Sequence, residues 1–208
     1  MKKFIRKYQD IFYFKSIQRV LSGSKSVLDV GCGADSPLRR VKKTFYSEGV
    51  DVFGESIETS KNKKIHDSYK LCDIKKLDSF YKKKSFDAVI ALDVIEHLEK
   101  KESIKLIKDM EKTARKKVIL LTPNGFYHQD AYDRNPYQVH KSEWKRSDLE
   151  QLGYKVYGLR GLKYLRGEYA SIKYKPWFFW GLVAFISEPL LYFFPRLSYH
   201  LFAVKDIK

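Results

Sequence analysis

The heptapeptide Val27-Leu28-Asp29-Val30-Gly31-Cys32-Gly33 runs an apolar strand straight into a Gly-x-Gly turn, and no other feature restricts the fold of this chain so tightly. Glycine at 31 and 33 lets the backbone turn sharply and lets a ligand approach it closely. Ser36 and Pro37 follow, a serine N-cap with proline at the first helical position. A helix is expected to start there, presenting backbone N–H groups and a positive dipole end above Gly33. Strand-to-helix turns also use glycine for steric reasons alone, so the meaning of this one depends on what comes after it.

What comes after is a regular series. Gly49-Val50-Asp51 is a short apolar strand closing on an acid that can grip ribose hydroxyls, and Leu71-Cys72-Asp73 closes the next strand in the same way. A fourth strand, Phe86 to Leu92, runs into Asp93-Val94-Ile95-Glu96-His97-Leu98. Strands are expected near 26–31, 47–52, 69–72, 86–92 and 117–122. The clearest helix between them is Lys101 to Arg115, with Ile104, Ile107, Met110 and Ala114 in register. This alternation implies a parallel sheet. Ser147 and Glu150 form a capping-box pattern for a short helix closed by Gly153, ahead of a sixth strand from Lys155 to Leu159 and a seventh from Ser198 to Val204.

In this order the segments VLDVGCG, GVD, CDI, FDAVIALDVIEHL and VILLTPNG resemble the class I S-adenosylmethionine-dependent methyltransferases, in particular their small-molecule, type 11-like branch, over residues 25–160. The resemblance implies an α/β, doubly wound, Rossmann-like sheet of seven strands in the order 3-2-1-4-5-7-6, the last strand antiparallel. It implies S-adenosyl-L-methionine as cofactor, with Asp29, Gly31, Cys32 and Gly33 at its amino-acid end. Asp51 and Val52 would meet its ribose, Asp73 and Ile74 its adenine, and Asp93 its methionine amine. One departure is Asp35, which stands where the family often has a third glycine.

Methyl transfer from a sulfonium is an in-line displacement, so an enzyme must align donor and acceptor and, for an oxygen acid, remove a proton. The proton acceptor expected here is His140, in Gln138-Val139-His140-Lys141-Ser142-Glu143-Trp144. His128 is a further candidate, while His97 reads more simply as a packing residue. Tyr127, Tyr132 and Tyr137 are candidates for an acceptor pocket. The long connections after strands five and six both leave from the cofactor face and are expected to build that pocket and its lid.

With 208 residues and 44% apolar content the chain supports one well-filled core, so residues 1–208 are expected to form a single domain. Within it, 1–24 reads as a basic amphipathic helix, with Phe4, Tyr8, Ile11, Phe12 and Val20 near helical spacing. Residues 162–197 read as an aromatic, apolar insertion acting as a lid or membrane-contact segment. Glu188-Pro189 is expected to divide it into two short apolar helices, flanked by Lys173, Lys175 and Arg196 and suited to an interfacial position.

Two cysteines, Cys32 and Cys72, offer neither a disulfide framework nor metal-ligand spacing, and no metal is expected. Met1 to Lys7 is basic with no apolar core behind it, so the expected location is the cytoplasm, with a peripheral position on the inner face of the membrane. The formal charge of +16 suits an anionic membrane surface or, as second choice, nucleic acid; solvated lysine runs are the plain alternative. The expected activity is therefore methyl transfer to a small-molecule or lipid-like acceptor. An RNA methyltransferase is the alternative, weakened because Leu92-Asp93-Val94-Ile95 stands where base-methylating relatives carry Asn/Asp-Pro-Pro-aromatic. A non-catalytic partner protein is opposed by the intact acids at 29, 51 and 73.

Overall fold

All seven residues of Phe86–Leu92 are buried, as expected of a strand covered on both faces of a parallel sheet, and this strand lies at the middle of the molecule. The computed structural model describes residues 11–131, 135–167 and 171–208. Its strands are β1 (Ser26–Val30), β2 (Tyr46–Asp51), β3 (Ser68–Leu71), β4 (Phe86–Leu92), β5 (Ala114–Pro123), β6 (Lys155–Leu162) and β7 (Ser198–Asp206). They form one sheet ordered β3-β2-β1-β4-β5-β7-β6. The first five pair parallel, and β7 runs antiparallel to both β5 and β6. The strand order reverses between β1 and β4, and ligands of open α/β sheets bind outside the carboxyl ends at such a point.

Helices cover both faces. Those longer than one turn are α1 (Ile11–Leu21), α2 (Gly54–Asn62), α3 (Lys100–Thr113), α4 (Arg146–Gln151) and α5 (Trp177–Phe193). One core cluster gathers Leu28, Val89, Leu120 and Leu201 against Leu106 and Met110 of α3 and Trp144. The other gathers Val27, Ile90, Ile119 and Phe202 against Tyr13, Ile17 and Leu21 of α1 and Tyr192 of α5. Alternate residues of one strand thus feed opposite layers. Helix α1 packs on the core through the stripe Tyr13, Ile17 and Leu21; Phe4 and Tyr8 lie outside the described residues.

Three local expectations are corrected. Ser36 and Pro37 open only a single 3-10 turn, Pro37–Arg40, in which Ser36 Oγ accepts from the Leu38 amide at 3.2 Å. One turn aligns too few peptide dipoles to give the positive end expected of a full helix. Helix α4 begins at Arg146, and the acid that caps it is Asp148, which accepts from the Lys145 amide at 3.1 Å, rather than Glu150.

The third correction concerns Glu188-Pro189, which does not divide the aromatic segment: α5 runs unbroken from Trp177 to Phe193. Proline inside a helix forfeits one backbone hydrogen bond, but docking on β6 holds the helix across that point. A Cβ on Gly158 would sit 2.2 Å from the Leu191 carbonyl oxygen, and one on Gly161 would sit 2.7 Å from that of Ala184, so the strand is shaped to let the helix come this close. Glu188, 1% exposed, accepts from the Arg160 amide at 2.7 Å.

The opening of β4 is anchored by charge. Asp87, 4% exposed, accepts from the Lys25 amide at 2.9 Å, from Arg115 Nε at 2.8 Å and from Lys116 Nζ at 2.8 Å. Burial alone would raise its pKa, yet Lys116, the Lys25 amide and Arg115 together hold it far below the ordinary carboxylate value. Asp87→Ala is expected to lower stability at pH 7 by about 1.5–3 kcal/mol, the range of hydrogen bonds to a charged group. A depressed carboxylate stabilises only while ionised, so this contribution is complete above about pH 4 and fades as pH falls toward the depressed value. Urea unfolding of both proteins between pH 7 and pH 3 checks this: the gap between them should narrow on the acid side.

Candidate active site

The glycine turn is held by the neighbouring strand. Gly31 (φ 69°) and Gly33 (φ 56°) occupy the left-handed region that favours glycine. The amides of Gly31 and Cys32 both donate to the Val50 carbonyl, at 2.8 and 3.0 Å. Asp51, at the end of β2, accepts from the Gly33 amide at 2.9 Å and from the Phe53 amide at 2.9 Å, so one carboxylate joins the turns that leave β1 and β2. Burial raises its pKa despite these amide donors. Above Gly33 there is open space, since a Cβ there would meet nothing within 4 Å.

Beneath the turn lies a polar cluster. Asp29, 2% exposed, accepts from the Ser36 hydroxyl and pairs with His66 Nε2 at 2.9 Å. The missing side chain of Gly49 makes room for Cys32 and His66, because a Cβ would lie 2.9 Å from both Cys32 Sγ and His66 Nδ1. Burial pushes the Cys32 thiol far up, so it stays protonated. Asp35, at the position of the departed glycine, pairs on the surface with Arg39 at 2.9 Å and Lys63 at 3.2 Å.

An open cavity of about 180 Å³ lies against the carboxyl ends of β1 to β4. Six of the residues expected at a cofactor site share its wall: Gly31, Asp51, Val52, Asp73, Ile74 and Asp93. Asp29, Cys32 and Gly33 do not; they lie under or within the turn. Asp93 takes the left-handed conformation (φ 58°), unusual for a side-chain-bearing residue and typical of strain kept at functional sites. Buried His200 lies 3.2 Å from its Oδ1. Burial favours a protonated Asp93, but the charges of His200, Arg160 and His97 hold its pKa below the ordinary value.

The loop after β5 supplies Asn135, Tyr137, Gln138 and Lys141 to the same wall. Among the described residues, the connection after β6 supplies none, and α5 instead packs on β6. Tyr127 contributes its carbonyl rather than its ring, which packs against Tyr199. His128 is exposed beside Asp130, and Tyr132 lies outside the described residues.

His140 is delivered by backbone stapling. The amides of Lys141 and Ser142 both donate to the Glu96 carbonyl, at 2.8 and 3.1 Å, and the Ser142 hydroxyl donates to the Ile95 carbonyl. This brings the His140 ring within 4.8 Å of the His97 ring, centroid to centroid. His140 Nδ1 donates to the Tyr127 carbonyl at 2.6 Å, and His97 Nδ1 to the Val139 carbonyl at 3.3 Å. Carbonyls only accept, so in each neutral ring Nε2 carries the lone pair. Burial lowers the pKa of both rings; His97, with His140 beside it, falls to about 4. Glu96 is shifted well upward by burial and by Asp93. The sequence shows Glu96 and His97 side by side but His140 far from them, and its meeting with them depends on the fold of the loop after β5.

Residues 28–128 match the family model of a methyltransferase domain. Among solved structures, the chain is similar to the methyltransferase domain of a bacterial CtHen1, at 20% identity and a TM-score of 0.59, covering 98% of this chain and 100% of that one. It is similar to a SAM-dependent methyltransferase from Archaeoglobus fulgidus, at 17% identity and a TM-score of 0.59, covering 96% of this chain and 97% of that one. It is also similar to the magnesium protoporphyrin IX methyltransferase ChlM of Synechocystis with bound SAH, at 15% identity and a TM-score of 0.56, covering 99% and 88% of the two chains. At these identities the likeness is one of fold. No curated protein matches the chain.

Proposed function

We propose that this chain, whose residues 28–128 match a methyltransferase-domain model and whose fold is shared with S-adenosylmethionine-dependent methyltransferases, uses S-adenosylmethionine to transfer a methyl group to a small or lipid-like acceptor at an anionic membrane surface. The observation that carries the cofactor assignment is that Asp51, Asp73 and Asp93, each at or just past the end of a different strand, share one cavity wall with Gly31. In this reading Asp51 and Val52 hold the ribose, Asp73 and Ile74 the adenine, and Gly31 and Asp93 the methionine end. Asp29, Cys32 and Gly33 act from behind, keeping the turn in shape. When bound, the cofactor supplies an electrophilic methyl on a sulfonium. The chain's own residues orient the acceptor, exclude water from it and, for an oxygen acceptor, take its proton. His140, neutral near pH 7 with its lone pair at Nε2, is the proton acceptor in the simplest form of this reading.

The membrane part of the proposal rests on α5. While Gly181, Ala184 and Glu188 face inward, Phe178, Leu182, Ile186, Leu190 and Phe193 are each at least half exposed on the outer side. Exposed Lys173, Lys175 and Arg196 flank this helix in the chain. An apolar stripe flanked by cations suits the interface of a bilayer containing anionic lipid. Among the described residues, no helix is long and apolar enough to cross a membrane.

The test is isothermal titration with S-adenosylmethionine and S-adenosylhomocysteine, alongside flotation with anionic liposomes. Cofactor binding with flotation supports the proposal; binding without flotation removes the membrane and turns the acceptor search to soluble metabolites or RNA. Asp51→Ala should weaken S-adenosylhomocysteine binding by about 1–3 kcal/mol through loss of charged hydrogen bonding. Unchanged affinity would remove the ribose assignment. His140→Ala should leave that affinity intact and lower turnover. As a base, His140 works only when deprotonated, so wild-type kcat/KM should fall as pH drops through a value below the ordinary histidine pKa of about 6.5, and the variant should lack that limb.

A further inference from the structure

The lone pairs of His97 and His140 point to a second use. One ligating atom from each of Glu96, His97 and His140 lies within 4.8 Å of the other two. Glu96, 2% exposed, uses Oε2 to accept from the Thr122 hydroxyl at 3.0 Å, while buried Oε1 has no hydrogen-bond partner among the described residues. Once deprotonated, Glu96 would offer that oxygen to a cation beside the two ring nitrogens. A buried carboxyl oxygen left without a partner next to two imidazoles marks a place where a cation would satisfy all three groups at once. Each histidine already donates its other ring N–H to a backbone carbonyl, the outer-shell bond that fixes tautomer and orientation in metal-ligating histidines.

We infer that Glu96, His97 and His140 form a binding site for one divalent first-row transition-metal ion at the wall of the cavity. Two imidazoles and one carboxylate suit ions of the manganese-to-zinc series and leave coordination positions open. Neighbouring ligands about 2.1 Å from one ion stand about 3.0–3.6 Å apart, so the three groups close on an ion through side-chain shifts of about 1 Å. His97 lines the cavity, which puts those open positions within reach of an acceptor. If the cavity is the methyl-transfer site, as proposed above, the class of acceptor is an oxygen compound whose hydroxyl is made more acidic by the ion. His140 then serves as a ligand instead of a base.

The experiment uses the full chain, dialysed against a chelator and then titrated with Mn²⁺ or Co²⁺ by calorimetry, with elemental analysis of the reloaded protein and the visible spectrum of the Co²⁺ form. The expected result is one ion per chain. His140→Ala, a change in a half-buried loop residue, should weaken binding at least about tenfold, the smallest loss typical even of outer-shell changes, and alter the Co²⁺ spectrum. S-adenosylhomocysteine affinity should not change. Glu96→Gln should weaken the ion likewise, with far-UV circular dichroism verifying its fold. Failure of Mn²⁺, Co²⁺ and Zn²⁺ to bind stoichiometrically to a protein that takes S-adenosylhomocysteine would overturn the metal site, as would undiminished binding in both His140→Ala and His97→Ala. A protein that takes one ion but no S-adenosylhomocysteine would keep the metal site and lose the proposed cofactor assignments.

Discussion

The cavity depends on a short clamp between β1 and β2. Two consecutive amides, from Gly31 and Cys32, converge on one carbonyl, that of Val50, and the next acid along β2, Asp51, reaches back to the Gly33 amide. Neither glycine could be replaced by a bulkier residue without strain, since both sit at positive φ. The clamp in turn needs the hollow at Gly49, where the Cys32 thiol and the His66 ring meet, and His66 secures Asp29 under the turn. The acid in the VLD segment is thus a foundation for the turn rather than part of the cavity wall.

This arrangement explains what the sequence could and could not disclose. Strand order, the antiparallel last strand and the acids beyond β2, β3 and β4 followed from segments whose spacing matched a family pattern. Whether an acid points into the cavity or beneath it is a matter of a side chain's face and its partners. Asp29 and Asp51 look alike in one dimension, yet Ser36 and His66 claim the first while the backbone of its own turn and Gly33 claim the second. Ser36 and Pro37 carried a sound capping signal, but the chain returns to β2 so soon that only one turn forms.

Tertiary contact also overrode a local rule at Pro189. Two glycines in β6 let the α5 backbone approach until carbonyls nearly touch the strand, and buried Glu188 accepts the amide of Arg160, itself at positive φ. The inner face of α5 carries small Gly181 and Ala184, buried Glu188, and Leu191 and Tyr192 toward its end, while its outer face carries large apolar residues. The glycines of β6 and the Glu188 bond together keep it one helix across the proline.

The loop after β5 is fastened at its base and at its return. At its base the Asn124 side chain donates to the carbonyls of Pro195, Arg196 and Ser198, and the Gly125 amide donates to the Trp144 carbonyl. At its return, Lys141 and Ser142 are bonded to Glu96. Residues past Gln129 in the stretch between these anchors can vary without moving the histidine that ends it, which the carbonyls of Tyr127 and Gln129 hold in place. Insertions and substitutions there could retune which acceptors are admitted while the apparatus around the methyl donor stays constant, so selection can act on substrate range and on foldability almost independently.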